Sequence, residues 1–186
     1  MKKIIVLTGD LACGKTTFAN IISKKYNIDL FVKDYIKEHL ADTIGFKNRE
    51  ENRRLSIMAV NQQIEAINKN ISENKDIVVE ANFRDYEIDK INELAKKNNA
   101  KVLIIEFQGD PNIIFNRYNH RIKFENRHPA HLSQDFSNFE EFKSYIFSNR
   151  IDSNKYDFIK INANNFSYQT DEKLFKTIET FLFKEI

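Results

Sequence analysis

Gly9, Asp10, Leu11, Ala12, Cys13, Gly14, Lys15 and Thr16, with Thr17 behind them, form the stretch whose residue types and spacing most directly specify chemistry. The apolar run Ile4-Ile5-Val6-Leu7 comes directly before it, and a helix-like stretch, Thr17 to Lys25, comes directly after. A strand that stops abruptly, a curl that turns successive N–H groups inward and a helix that opens toward the same hollow together make an anion cradle. Gly9 and Gly14 permit the curl, because a Cβ would obstruct both the backbone angles and the close approach of phosphate. Lys15 then reaches the β and γ phosphates of a nucleotide, and Thr16 offers its hydroxyl to Mg²⁺. The segment reads as a P-loop, with Gly9 through Thr17 as the ATP contacts.

Further side chains suited to phosphate chemistry follow at intervals. Asp34, in Val32-Lys33-Asp34, falls where a second strand should end, at the carboxyl edge where open α/β sheets bind ligands. It is a candidate to orient and deprotonate an acceptor hydroxyl, to cap the next helix, or to do both. Lys33 beside it could pair with it, contact phosphate or stay solvated. Glu80, in Ile77-Val78-Val79-Glu80-Ala81-Asn82-Phe83-Arg84, tips a third apolar run. It could hold a Mg²⁺-bound water or a substrate hydroxyl, with Asn82 and Arg84 lining the same crevice. The alternative is a structural ion pair between Glu80 and Arg84.

Arg117 and Arg121 are four residues apart, which on a helix puts both guanidiniums on one face, and Arg127 follows past a bend. Planar, always charged guanidinium suits the charge that spreads over a phosphoryl group in transfer. A lid over about residues 112–135 carrying these arginines would exclude water; a solvated basic helix face is the plainer reading. His128 and His131 read as polar lid residues, since no cysteine or carboxylate cluster supports a metal pair.

The elements that must position these groups alternate between strand and helix, the signature of a parallel sheet with covering helices. Strands are expected at Lys3 to Thr8, Asp29 to Val32, Asp76 to Ala81, Lys101 to Phe107 and Asp157 to Ile161. Helices are expected at Tyr35 to Leu40, Arg49 to Glu73, Tyr86 to Asn98, Pro111 to about Phe124, Phe139 to Asn149 and Thr170 to Lys184. In the long one, Leu55, Met58, Ile64, Ile67 and Ile71 are spaced for one buried face. Asp110 before Pro111 is a cap followed by proline at the first helical position. The 186 residues suit one α/β domain, with no internal repeat or linker.

Composition narrows the partners. With 29 basic against 27 acidic residues, the net charge of +2 favours neither a long nucleic acid nor a membrane surface, so any anion site must be local. One cysteine excludes an internal disulfide and fits a reducing compartment. Met1-Lys2-Lys3 and the run after it are too short for a signal peptide, and no stretch approaches the roughly 20 apolar residues of a membrane span. The expectation is a soluble cytoplasmic protein. Cys13, at a helix start, is either a small space-filling residue or an oxidisable thiol.

Three kinds of P-loop protein compete. A GTPase needs D-x-x-G after a strand and N-K-x-D after a later one; Asp42-Thr43-Ile44-Gly45 and Asn154-Lys155-Tyr156-Asp157 fit as strings, but the first follows a helix and the second precedes its strand. A larger ATPase motor needs a second hydrolytic apparatus. A small kinase needs an acceptor pocket, an orienting carboxylate and an arginine lid, all found in order.

That order, G-D-L-A-C-G-K-T-T, Asp34, E-A-N-F-R, R-x-x-x-R and I-N-A-N, resembles the small P-loop kinases of the nucleoside-monophosphate-kinase-like group. Within it the chain is most similar to the ATP-binding proteins, of AAA type, grouped with polynucleotide kinase, zeta toxin and chloramphenicol phosphotransferase. The resemblance spans nearly the whole chain. It implies a three-layer P-loop fold with strand order 2-3-1-4-5, a base at Asp34, phosphate clamps at Arg117 and Arg121, and Asn162 and Asn164 against adenine. The resulting expectation is an ATP- and Mg²⁺-dependent phosphotransferase acting on a hydroxyl of a small molecule, with Lys15, Asp34, Arg117 and Arg121 catalytic. A nucleoside or polynucleotide 5′-hydroxyl kinase, and a regulatory or toxin-like ATP-binding protein, are the alternatives.

Overall fold

The computed structural model describes residues 1–131 and 136–184. Within them, strands β1 (Lys2–Gly9), β2 (Asp29–Val32), β3 (Ile77–Glu80), β4 (Ala100–Gln108) and β5 (Ile159–Asn162) form a five-stranded sheet in the order β2-β3-β1-β4-β5. Every pairing is parallel. The helices are α1 (Lys15–Tyr26), α2 (Lys33–Ile44), α3 (Arg49–Ser72), α4 (Asp85–Lys97), α5 (Pro111–Phe124), α6 (Phe139–Ser148) and α7 (Glu172–Phe183), with 3₁₀ turns at Pro129–His131 and Ser167–Thr170.

β1 is an unbroken apolar run because helices cover both of its faces. Ile5 and Leu7 point into one core with Phe18 and Ile22 of α1, Ile114 of α5, Phe142 of α6 and Ile178 of α7. Ile4 and Val6 point into the other with Ile67 and Ile71 of α3 and Ile88 and Ile91 of α4. A smaller cluster, Leu40, Ala41, Leu55, Ala59 and Ala130, joins α2, α3 and the first 3₁₀ turn. The expected buried face of α3 is corrected at Met58, which is 38% exposed. Among the described residues no helix is long and apolar enough to cross a membrane.

Element ends differ from expectation where a strand runs straight into a helix. α1 starts at Lys15, since Gly14 takes the left-handed conformation (φ 80°) and serves as its N-cap. α2 starts at Lys33, directly off β2, with extended Val32 as N-cap. Asp34 is therefore no cap: it lies in the first turn, where its charge faces the positive end of the helix. Asp110 does cap α5, accepting from the N–H groups of Asn112 at 2.9 Å and Ile113 at 3.4 Å. Asp42, Thr43 and Ile44 are the last turn of α2, and Asn154 to Asp157 precede β5, so both GTPase-like strings lie outside the setting they need.

The P-loop is fastened from far along the chain. Gly9 has φ 119°, and a Cβ there would stand 2.2 Å from the carbonyl oxygen of Phe107. The Asp10 carboxylate, 4% exposed, accepts from Arg150 at Nη2 (2.7 Å) and Nε (3.1 Å) and from the Gly109 N–H (2.9 Å). Arg150 also donates to the Gly109 carbonyl at 3.0 Å and lies over the Phe147 ring. Removing one partner of such a pair strands a buried charge. Arg150→Ala should therefore lower stability in urea by about 3 kcal/mol, with the Asp10→Asn/Arg150→Met double variant recovering part of the loss; a change of Arg150→Ala within error would refute the role given to this pair.

Candidate active site

The P-loop, the start of α2 and the end of β3 converge at the carboxyl edge of the sheet, because β1 lies next to β3 and β3 next to β2. Lys15 is only 7% exposed, and its ammonium donates to the carbonyls of Gly9 at 3.1 Å and Asp10 at 2.7 Å. Burial alone would lower its pKa, but Cys13, Glu80, Asp34 and Asp10 around it together outweigh burial and raise it. Lys15 is thus a fixed positive charge.

Thr16 Oγ1 donates to Glu80 Oε2 at 2.8 Å, joining the first turn of α1 to the tip of β3. Burial raises the pKa of Glu80, against the lowering effects of Lys15 and the Thr16 hydrogen bond. The Glu80 main-chain carbonyl accepts from Gln63 Nε2 at 2.9 Å, and the same nitrogen donates to the Phe31 carbonyl at 2.8 Å. Gln63 thereby ties α3 to β2 and β3. A hydroxyl and a carboxylate in contact at the mouth of a P-loop are hard oxygen donors of the kind Mg²⁺ takes, directly or through water. The residues present fit that ion.

A crevice of about 430 Å³ opens on this edge, lined by P-loop residues Leu11 to Thr17 and by Lys33, Asp34, Glu80, Asn82, Arg121 and Arg127. Arg121 Nε is held at 3.0 Å by Glu125, one turn on. The Asp34 carboxylate, about half exposed, stands 3.9 Å from His131 Nδ1, while His131 Nε2 is 2.8 Å from Glu38. Burial lowers the His131 pKa against the opposing effects of Asp34 and Glu38. His128 Nε2 lies 3.0 Å from Asp42.

Several expected placements need correction. Arg117 and Arg121 share a helix but diverge: Arg117 donates to the carbonyls of Ala163 and Asn164, both at 2.6 Å, and stacks on Phe166. It secures the loop after β5 and does not line the crevice. The Asn162 side chain accepts from the Asn164 N–H, and the Asn164 side chain accepts from the Asp110 N–H. Both side-chain oxygens thus help to shape the loop expected to meet adenine, and that expectation stands as it was. Asp10 turns its carboxylate to Arg150. The Glu80–Arg84 ion pair does not form, since Glu80 meets Thr16 and the Arg84 guanidinium lies over the Tyr145 ring, 5.8 Å from its centroid, beside a neighbouring cavity. Residues 132–135 of the expected lid lie outside the described residues.

Other contributors were not singled out in the sequence. Tyr168 donates its hydroxyl to the Cys13 carbonyl at 2.6 Å, and a Cβ on Gly14 would stand 2.4 Å from that hydroxyl. Phe166, Gln169 and Tyr118 line the crevice. Tyr118 lies inside the Arg117 to Arg121 segment; Phe166, Tyr168 and Gln169 belong to no local motif, and only the fold brings them to the loop.

The model of the AAA domain family matches residues 5–140. The chain belongs to this family. None of the curated proteins compared matches it. Among solved structures, this AAA domain protein is similar to a provisionally assigned kinase from Chloroflexus aurantiacus J-10-fl, with TM-score 0.83 and 20% identity over 97% of this chain and 98% of the other. It is similar to shikimate kinase from Aquifex aeolicus, with TM-score 0.60 and 13% identity over 95% and 96% of the two chains. A gluconokinase from Sinorhizobium meliloti gives TM-score 0.58 and 13% identity over 96% and 94%. At these identities the likeness is one of fold, and that fold is the P-loop kinase fold with strand order 2-3-1-4-5.

Cys13 bears on the redox alternative. It is 1% exposed, its Sγ donates to the Asp10 carbonyl at 2.8 Å, and burial raises its thiol pKa. A raised pKa and no access make a thiol inert. Ellman's reagent at pH 8 should leave the native protein unlabelled and titrate one thiol after unfolding; rapid labelling of the folded protein would show that Cys13 is open to chemistry.

Proposed function

We propose that this AAA domain protein is an ATP- and Mg²⁺-dependent phosphotransferase that moves the γ-phosphoryl group to a hydroxyl of a small molecule. The observation that carries this reading is the Thr16–Glu80 hydrogen bond beside buried Lys15, in a crevice also lined by Asp34, Arg121 and Arg127. That collects a phosphate cradle, hard oxygen donors, a carboxylate and mobile-length cations in one place, and phosphoryl transfer asks mainly for positioning and charge. The fold of shikimate kinase and gluconokinase, whose names state small hydroxylated acceptors, supports the same reading. So does a net charge too small for a long nucleic acid.

In this mechanism the loop amides from Leu11 to Thr17 and the Lys15 ammonium hold the β and γ phosphates. Mg²⁺, when bound through Thr16 and through water on Glu80, supplies charge that offsets the phosphates. Lys33 and Asn82 flank the acceptor, and Asp34 accepts a hydrogen bond from its hydroxyl. As the acceptor oxygen bonds to the γ phosphorus, the bond from that phosphorus to the bridging oxygen breaks. ADP leaves with the electron pair, and the hydroxyl proton passes to Asp34. Arg121 and Arg127 stabilise the charge on the transferring oxygens and help to exclude water. Arg117 acts indirectly, by holding the loop of Asn162 and Asn164 that borders the nucleotide base.

A radiolabel-transfer screen of hydroxylated metabolites, nucleosides and aminoglycoside or phenicol antibiotics should find an acceptor phosphorylated from ATP. With that acceptor, Lys15→Ala should abolish transfer and Arg121→Ala should lower kcat by about 10²–10³-fold. Asp34→Asn should lower kcat by about 10²–10⁴-fold while ATP binding stays intact. Full transfer by Asp34→Asn would remove Asp34 from the proton step. ATP-analogue binding with no acceptor phosphorylated would favour a regulatory nucleotide-binding role instead.

A further inference from the structure

Next to the P-loop crevice lies a second cavity, of about 590 Å³, which shares Leu11, Lys33, Asp34, Asn82, Tyr118 and Arg127 with it. Its charge is one-sided. Lys33, Lys37, Arg49, Arg53, Arg84 and Arg127 line it, against two carboxylates, Asp34 and Glu87. Glu87 is already engaged at the start of α4, where its Oε2 accepts from the Arg84 N–H at 2.7 Å and its Oε1 lies 3.2 Å from the Tyr86 hydroxyl. A chain with a net charge of only +2 therefore concentrates cations in the compartment beside Asp34.

α3 contains its own control. Arg54, turned away from the cavity, forms an i,i+4 ion pair with Glu50 at 2.7 Å. Arg49 and Arg53, one turn apart on the cavity side, form no ion pair within 4 Å among the described residues, and neither does Arg84. Glu141, whose carboxyl is held below its ordinary pKa by hydrogen bonds from Ser137 and also by the Arg49 charge, is the one carboxylate seen to act on Arg49 from further off. Arg49 and Arg53 are exposed and Arg84 is half-buried, so water screens their mutual repulsion; what sets them apart is convergence on one cavity with no close carboxylate, the arrangement in which forked guanidiniums can share one anion. Lys37 adds a buried cation to the same wall: it is 8% exposed, donates to the Ala130 carbonyl at 2.8 Å, and burial together with neighbouring Lys33 pushes its pKa down to about 8.

We infer that the second cavity is the acceptor compartment and that the acceptor is a small hydroxylated oxyanion, its carboxylate or phosphate gripped by Arg49, Arg53 and Arg84 and its hydroxyl presented to Asp34. This rests on the kinase reading above and adds the charge class of the substrate. Forked guanidiniums match the paired oxygens of either group. A neutral acceptor would make no use of the three guanidiniums. The transfer is the one already written, with the anionic group a spectator that orients the molecule.

The test is an NMR titration of the full, isotope-labelled chain with inorganic phosphate and, separately, with glycolate, following the backbone amides and arginine side-chain signals. Saturable shifts should appear at Arg49, Arg53 and Arg84 with the P-loop filled by a magnesium-bound, non-hydrolysable ATP analogue. They should weaken at least tenfold in Arg49→Gln/Arg53→Gln and persist in Arg54→Gln. The relative strength of the two ligands distinguishes a phosphate from a carboxylate preference. Phosphate shifts confined to residues 9–17, or unchanged by the double substitution, would overturn the inference. Failure of the nucleotide analogue to perturb residues 9–17 would instead count against the kinase reading, and the α3 titration would still be read on the free chain. In turnover, the acceptor's charged form should exceed its neutral counterpart at least tenfold in kcat/KM, with the double variant raising KM more than it lowers kcat; equal use of both forms would also overturn it.

Discussion

A lysine ammonium held almost out of water at the tips of the central strands is the constraint that organises this protein. Burying such a charge costs several kcal/mol unless its surroundings are arranged to accept it. The carbonyls of Gly9 and Asp10 take its hydrogen bonds, and Glu80 on the neighbouring strand supplies opposing charge. Those carbonyls are available only because the chain leaves β1 with Gly9 at φ 119°, pressed against Phe107 where no side chain fits. The backbone curl, the pairing of β1 with β3 and the Thr16–Glu80 hydrogen bond are thus parts of one electrostatic arrangement.

Around that fixed charge the arginines divide their labour by partner. Arg150 and Arg117 are immobilised by carbonyls and, for Arg150, by a buried carboxylate, so they brace the P-loop and the loop after β5. Arg121 and Arg127 border the crevice, and Arg49, Arg53 and Arg84 border the cavity beside it. Charge type alone does not separate these groups. What separates them is whether the guanidinium is locked onto main-chain carbonyls or left on the wall of a cavity, as Arg121 is even while paired with Glu125.

Much of the fold could be read from the chain because its signals are local. The apolar runs of β1, β3 and β4, the Asp110-Pro111 start of α5 and the glycines of the P-loop each announce themselves within a few residues. The strand order came by resemblance and matches the sheet. The misreadings share a cause. Spacing placed Arg117 and Arg121 on one helix, but direction was decided by the carbonyls of Ala163 and Asn164, supplied from more than forty residues away. Of the two roles open to Asp34, base and cap, the cap assumed a loop before α2, whereas extended Val32 leads straight into the helix. Arg150, Phe166 and Tyr168 carry no motif, so only the parallel topology, which returns β5 to the P-loop edge, reveals their role.

The two distant clamps on the P-loop have a consequence for how the protein comes into being. Its phosphate cradle is written in the short segment Gly9 to Thr17, yet Asp10 waits for Arg150 and the Cys13 carbonyl for Tyr168. Closing loops of that length costs entropy that only the assembled sheet repays. On a ribosome, where residues emerge in chain order, the cradle stays unfinished until synthesis has passed Tyr168. A finished cradle is therefore a sign that β5 and the turn after it have docked.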